Sequence, residues 1–206
     1  MTLFRRRLLL SLVLTVACRP QPAATPVDWN SHLRPELMAR LDRDQAVRDS
    51  FLAQINAVGH PTAALATSMQ SVDSANLAWL KPLLLAYGWP TRPALDSEGI
   101  EAVFLLVQHA DRDPAFQAAM LPQLAAAHRS GDIPGQSLAL LTDRVAKAQG
   151  RPQIYGTQTT LKGREAIVDP IADSAGVDAR RAALGLPPLA VYKHLLDSMV
   201  SRAGTP

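Results

Sequence analysis

Residues 99–111 constrain the fold most, because they are apolar around almost the whole circumference of a helix. Their apolar side chains are Ile100, Val103, Phe104, Leu105, Leu106 and Val107. A helix that is hydrophobic on every side has to be covered on every side. We therefore predict that this segment is a central buried helix.

Prolines, glycines and capping residues divide the rest of the chain into further helical segments. Helices are predicted over residues 35–58, 74–86, 114–130, 138–149 and 189–200, with a short one after Asp178. Their expected N-caps include Asp73, Asp113, Ser137 and Asp178. Residues 153–168 alternate like a strand, turn at Lys162-Gly163 and return, which predicts a β-hairpin. The predicted fold class is mainly α, a single-domain helical bundle over residues 34–203 with one small β-hairpin.

The first residues have the pattern of a secretory signal. Arg5, Arg6 and Arg7 precede an apolar run, residues 8–16, that is too short to span a bilayer. Residues 14–18, LTVAC, resemble the bacterial lipobox, in which the cysteine becomes the lipidated first residue. We predict a signal peptide over residues 1–17 and a lipidated Cys18 followed by a Pro/Ala-rich tether to residue 33. The alternative is ordinary signal cleavage with Cys18 incidental.

These assignments place the protein in the cell envelope, exported and lipid-anchored to a membrane (on the periplasmic face if the cell is Gram-negative). Cleavage would remove three of the 21 basic residues and none of the 18 acidic ones, which leaves a formally neutral chain. A neutral chain lacks the electrostatic basis for nucleic-acid binding. Because Cys18 is the only cysteine, no intrachain disulfide can form, and the fold depends on its apolar core.

Two sets of polar residues lie where apolar ones are expected. Asp44 and Arg48 fall one turn apart within the apolar stripe of the first helix, as a structural ion pair or as part of a ligand site. His109 ends the most apolar helix beside Gln108, near Asp111, as a general base or as a hydrogen-bonded core residue. The sequence has no His-Glu-x-x-His motif and no cysteine pair, so neither a metal nor another cofactor is expected.

Residues 138–158 join an apolar helix to a polar segment through Gly150 and Pro152. The helix carries Asp143 and Arg144, and the chain then presents Gln153, Tyr155 and Gln158. These groups either bind a polar ligand or connect the hairpin to the helices. The usual serine hydrolase, phosphate-loop and dinucleotide-binding motifs are absent.

Several short motifs together resemble a bacterial family called domain of unknown function 6624, over about residues 37–192. They are DRDQ at 42–45 with Arg48, YGWP at 87–90, QHAD at 108–111, LTDR at 141–144, QIYGTQ at 153–158, and Arg180-Arg181 with LGL at 184–186. The resemblance implies that the polar motifs belong to one shared design. It implies no activity.

Two functional hypotheses follow. In the first, the domain binds a small polar or anionic ligand, or an envelope protein, without chemistry. In the second, it is a hydrolase or transferase in which His109 is the base, Asp44 or Asp143 the acid or orienting group, and Arg48 or Arg144 an anion clamp. Both hypotheses expect these side chains to converge around Tyr155. The remaining ligand-binding candidates are Gln108, Asp111, Gln153 and Gln158.

Overall fold

The computed structural model describes residues 28–162 and 165–202, which contain seven α-helices and one two-stranded sheet. The predicted signal peptide, Cys18 and the tether to residue 27 lie outside these ranges. The elements are α1 (Arg34–Val58), α2 (Ala63–Tyr87), α3 (Ser97–Gln108), α4 (Pro114–Arg129), α5 (Gly135–Ala148), β1 (Thr159–Lys162), β2 (Glu165–Val168), α6 (Val177–Ala183) and α7 (Leu189–Arg202). The predicted mainly α fold class with one small hairpin is confirmed.

Helix α3 forms the centre of the domain, as its apolar circumference predicted. Ile100, Val103, Phe104 and Val107 are buried in it. It packs against α1, α2 and α5, and α4 pairs with α5. A short π-helical turn, Trp29–Leu33, precedes α1 and buries Trp29 in the same core. The folded domain therefore begins before residue 34, within the predicted tether.

The start of α2 differs from the prediction. The helix begins at Ala63, where the hydroxyl of Thr62 accepts a hydrogen bond from the Leu65 amide at 3.3 Å. Residues 62–72 are mostly small or polar, which concealed a helix that tertiary packing stabilises. Asp73 is therefore inside α2 rather than its N-cap. Asp113 does cap α4, but α5 begins at Gly135 and α6 at Val177, so neither Ser137 nor Asp178 is an N-cap.

The hairpin is shorter than predicted. Strands β1 and β2 are antiparallel, with Thr159 opposite Val168 and Lys162 opposite Glu165. Residues 153–158 form a loop instead of a strand, joined to the following segment by a bridge between Gln153 and Ile171. Gly156 has a φ of +72°, which extended backbone does not allow. The loop turns its amides toward α5, and that contact builds part of the polar interior.

Across the described ranges, none of the helices combines the length and hydrophobicity needed to cross a bilayer.

Candidate functional site

A buried carboxylate and a histidine meet where the end of α3 contacts α1. Asp44 has 0% of its surface exposed, and its Oδ1 and Oδ2 lie 3.1 and 3.0 Å from Nδ1 of His109. An ionised carboxylate only accepts hydrogen bonds, so Nδ1 must carry the proton and donate. In the neutral ring, Nε2 is then the atom that can accept a proton.

The other side of the His109 ring is open. Its side chain is 13% exposed. Within residues 28–162 and 165–202, no hydrogen bond engages Nε2, and this atom is not among the enclosed unpaired ones. Water can therefore reach Nε2 while Asp44 holds the opposite nitrogen.

Three donors fix the Asp44 carboxylate. Besides His109, Gln45 Nε2 donates to Oδ2 at 2.8 Å, and Arg48 Nη1 donates to Oδ1 at 2.8 Å. The second terminal nitrogen of Arg48 donates to Asp73 Oδ1 at 2.8 Å. These bonds offset the cost of burying the charge of Asp44. They also commit the Arg48 guanidinium to two carboxylates, one from α1 and one from α2.

Asp73 belongs to this cluster, although the sequence pattern predicted it to be a helix cap. Burial raises the pKa of the Asp73 carboxyl above its ordinary value, while the hydrogen bond and charge of Arg48 and the charge of His109 act in the opposite direction. The helical spacing of the sequence does indicate that Asp73 faces the interior. Residue 73 is in register with Asn76, Leu80 and Leu84, which are the buried residues of α2.

A second polar group lies directly beyond His109. Arg144 Nη1 donates to the backbone oxygen of Gln108 and to both carboxylate oxygens of Asp111, each at 2.9 Å. Gln117, which is buried and which no sequence motif indicated, donates to the same backbone oxygen at 3.0 Å. Among the described residues, three buried atoms here find no hydrogen-bond partner: Gln108 Oε1, Gln117 Oε1 and Arg144 Nε. Asp111 therefore pairs with Arg144, and His109 is oriented by Asp44 instead.

Asp143 forms the centre of a third polar group. It is 0% exposed and accepts from the amides of Ile154 at 2.6 Å, Tyr155 at 3.0 Å and Thr157 at 2.9 Å, and from the Thr157 hydroxyl at 2.9 Å. Gly156 turns the backbone so that the amides on both sides of it reach one carboxylate. All four donors come from the loop, so Asp143 holds the loop on α5.

The remaining predicted binding residues connect this loop to its surroundings. Gln153 is buried, donates to the backbone oxygens of Gln158 and Asp169, and accepts from the Gln158 amide. The Gln158 side chain donates to Thr157 Oγ1 at 3.1 Å. Burial raises the pKa of the Tyr155 phenol, and the negative charge of Asp143 raises it further. The positive charge of Arg180 acts in the opposite direction.

A buried arginine completes the third group. Arg181 donates to the backbone oxygens of Tyr155 and Pro187, both at 2.7 Å, and its guanidinium stacks on the Tyr192 ring at 4.9 Å. Burial lowers the pKa of Arg181, while the charges of Tyr192, Asp178 and Asp143 raise it. In the sequence this residue stands out only as part of a motif, because its burial depends on the docking of α7.

The predicted site residues therefore form three adjacent groups rather than one. The first two groups adjoin because His109, of the first, follows Gln108, of the second, in the chain. The last two adjoin because Arg144, of the second, follows Asp143, of the third. In the described part of the chain, no hydrogen bond or ion pair connects Asp44 directly with Asp143. The chemically competent arrangement is the first group, since it alone has a histidine with one fixed and one open nitrogen.

A metal-binding cluster is not found beside this pair in the described part of the chain, and the groove that the structure does show lies elsewhere. No group of three or more His, Cys, Asp or Glu side chains within the described ranges could hold a metal ion. An open, mostly apolar groove of about 550 Å³ lies between β2 and α7, lined in part by Ile167, Ile171 and Leu189. Neither Asp44 nor His109 lines this groove.

Comparison with known proteins gives a family but no function. No curated protein and no solved structure matches the chain. The model of a family of unknown function, DUF6624, matches residues 31–202, which include all three polar groups. Because this match covers most of the sequence, the chain belongs to the DUF6624 family.

Proposed function

We propose that the chain is a membrane-anchored hydrolase or transferase in which Asp44 and His109 perform acid–base chemistry. One observation carries the proposal: Nδ1 of His109 is held by both oxygens of a buried carboxylate, while Nε2 is open. Asp44 fixes the tautomer, and Nε2 takes the proton of a water or a substrate hydroxyl and passes it to the leaving group. Arg48 and Gln45 keep the Asp44 carboxylate in place and do not bind substrate.

Substitution of Asp44 tests this role without knowledge of the substrate. In Asp44→Asn, the amide group can donate to Nδ1, which moves the ring proton to Nε2 and blocks that atom. We expect modification of His109 by diethyl pyrocarbonate, followed by mass spectrometry, to slow by at least about tenfold at neutral pH, because only an unprotonated nitrogen reacts.

Asp42→Asn is the matched control, because Asp42 is exposed on the same helix. It should leave the rate at His109 unchanged, and the exposed His32 should react equally in all three proteins. Equal His109 rates in Asp44→Asn and Asp42→Asn would show that Asp44 does not set the tautomer.

A second candidate function is the binding of a small polar ligand without chemistry. The unpaired atoms of Gln108, Gln117 and Arg144 support it, because buried polar atoms in folded proteins normally have partners, and a ligand or ordered waters would supply them here. The catalytic and the binding function both include the proposed membrane anchor, but they assign different roles to His109. A His109 side chain whose reactivity is independent of Asp44 favours the binding function.

The envelope location is supported by the sequence of residues 1–18 alone. Lipidation of Cys18 would hold the enzyme at a membrane surface, since two or more acyl chains give stable anchoring. In cells fed an alkyne-labelled fatty acid, we expect the chain to become labelled and to sediment with membranes. Cys18→Ser should remove the label. An unlabelled wild-type chain in the soluble fraction would instead indicate ordinary signal cleavage.

A further inference from the structure

Arg48 joins two carboxylates from different helices, one of which holds His109. Nη1 of Arg48 donates to Asp44 Oδ1 and Nη2 donates to Asp73 Oδ1, both at 2.8 Å. The Asp44 side chain is fully buried, and the side chains of Arg48 and Asp73 are 20% and 14% exposed. The acid–base function proposed above, on which this inference rests, uses Asp44 and His109 but assigns no role to Asp73.

The arginine weakens the carboxylate that has to stabilise a protonated His109. When Nε2 takes a proton, the ring becomes a cation, and the negative charge of Asp44 stabilises that cation through Nδ1. Arg48 already places a positive charge on Asp44 Oδ1. A second cation beside the same carboxylate is disfavoured by like-charge repulsion. Arg48 alone would therefore fix the position of Asp44 but reduce its ability to stabilise the proton on His109.

Asp73 compensates for the charge of Arg48. Together with Asp44, these side chains carry one positive and two negative charges, so one net negative charge remains while His109 is neutral. A proton on Nε2 brings the group to neutrality. If Asp73 were uncharged, the same proton would leave an excess positive charge in a largely buried place, and burial makes an unbalanced charge costly. The charge of Asp73 therefore favours the protonated ring.

The electrostatics of Asp73 agree with this assignment. Burial raises the pKa of its carboxyl, whereas the hydrogen bond and charge of Arg48 lower it, as does the charge of His109. The interaction between two charges is mutual, so an ionised Asp73 favours a positive charge on His109. Helix α3 packs against α1, α2 and α5. The charged group that α5 contributes here is Arg144, which is paired with Asp111 at 2.9 Å and is therefore already balanced.

We propose that Asp73 is a positioning residue of the candidate site. It holds Arg48 and cancels the charge of this arginine, which leaves the orienting carboxylate free to stabilise the proton on His109. Asp73 acts through Arg48 and does not touch substrate. The alternative is that Asp73 only ties α2 to α1. That structural role needs the hydrogen bond to Arg48 but not the negative charge, so an experiment can separate the two roles.

Asp73→Asn removes the charge and keeps the hydrogen bond, because the amide oxygen still accepts from Nη2 of Arg48. In the full-length chain, the rate at which diethyl pyrocarbonate modifies His109 is measured against pH, since only an unprotonated nitrogen reacts. A charge in direct contact shifts a titration by about 1–3 units. Because Asp73 acts from one side chain farther away, we expect the midpoint to fall by at least about 0.5 unit, or about a threefold lower ratio of protonated to neutral ring at a given pH.

Two matched variants show whether the charge of Asp73 is responsible. Asp73→Glu keeps the charge and should restore the wild-type midpoint. Asp49→Asn removes an equal charge next to Arg48 in the sequence, but Asp49 is exposed, so screening by solvent should leave the midpoint unchanged. A midpoint in Asp73→Asn equal to that of the wild type would overturn the proposal.

A double variant tests the route through Arg48. Arg48→Gln combined with Asp73→Asn removes one charge of each sign, so the midpoint should return to the wild-type value or rise above it. A midpoint that stays as low as in Asp73→Asn would show that Asp73 does not act by cancelling the charge of Arg48. Either contrary result rejects the role of Asp73 alone. A His109 rate that does not depend on Asp44 would instead reject the acid–base function, and the role of Asp73 with it.

Discussion

Asp143→Ala is expected to lower the free energy of unfolding by about 3–5 kcal/mol, the largest effect of any single substitution considered for this domain. The carboxylate is fully buried and accepts hydrogen bonds from three loop amides and one hydroxyl. Alanine leaves these donors without an acceptor, and each buried donor left unpaired costs about 1–3 kcal/mol. Partial opening of the loop to water limits the sum.

Urea denaturation measures this loss, and Asp42→Ala is the control. Asp42 is exposed, and substitutions at such positions change stability by about 0.5 kcal/mol or less. A loss below about 1 kcal/mol for Asp143→Ala would mean that water replaces the carboxylate easily, and that Asp143 is free for a role other than holding the loop.

Gly156→Ala is expected to destabilise the domain by about 2–5 kcal/mol, for two separable reasons. The glycine has a φ of +72°, where a side chain costs about 1–2 kcal/mol. An added Cβ would also lie 2.7 Å from Leu189 Cδ1 and 2.9 Å from Ile171 Cδ1, and such overpacking costs about 1–3 kcal/mol. The substitution therefore disturbs the Asp143 loop and the docking of α7 together.

Gly59→Ala isolates the backbone contribution. Gly59 has a similar φ of +82°, but a Cβ there would meet no atom within 4 Å. Its destabilisation should remain at about 1–2 kcal/mol, and the difference between the two glycine variants measures the clash at Leu189 and Ile171. Equal losses in thermal or chemical denaturation would show that α7 and the loop do not pack closely.

The sequence predicted the elements whose signals are local. Helix α3 followed from its apolar circumference, α1 from its first-turn proline and α4 from the cap at Asp113. The start of α2 was missed because Thr62 and the small residues after it have weak helical preference, and packing decided the outcome. Because the helix was predicted to begin at residue 74 and not at Ala63, Asp73 was assigned as a cap. Its orientation toward Arg48 was therefore not predicted.

The candidate site was only partly predictable, because its central contact is not local. Asp44 and Arg48 are one turn apart, so their pairing follows from helical spacing. Asp44 and His109 are 65 residues apart, and only the docking of α3 on α1 brings them together. From the sequence, Asp143 was an equal candidate for orienting the histidine. The structure directs the Asp143 carboxylate to the loop amides instead.

The most direct test of the acid–base role is the nitrogen-15 NMR spectrum of the His109 ring, recorded on labelled protein at a pH where the ring is neutral. We predict a proton on Nδ1 and a bare Nε2 in the wild type, with this preference lost or reversed in Asp44→Asn. A wild-type ring that carries its proton on Nε2 would leave no acceptor on the open side, and the proposed chemistry would have no base.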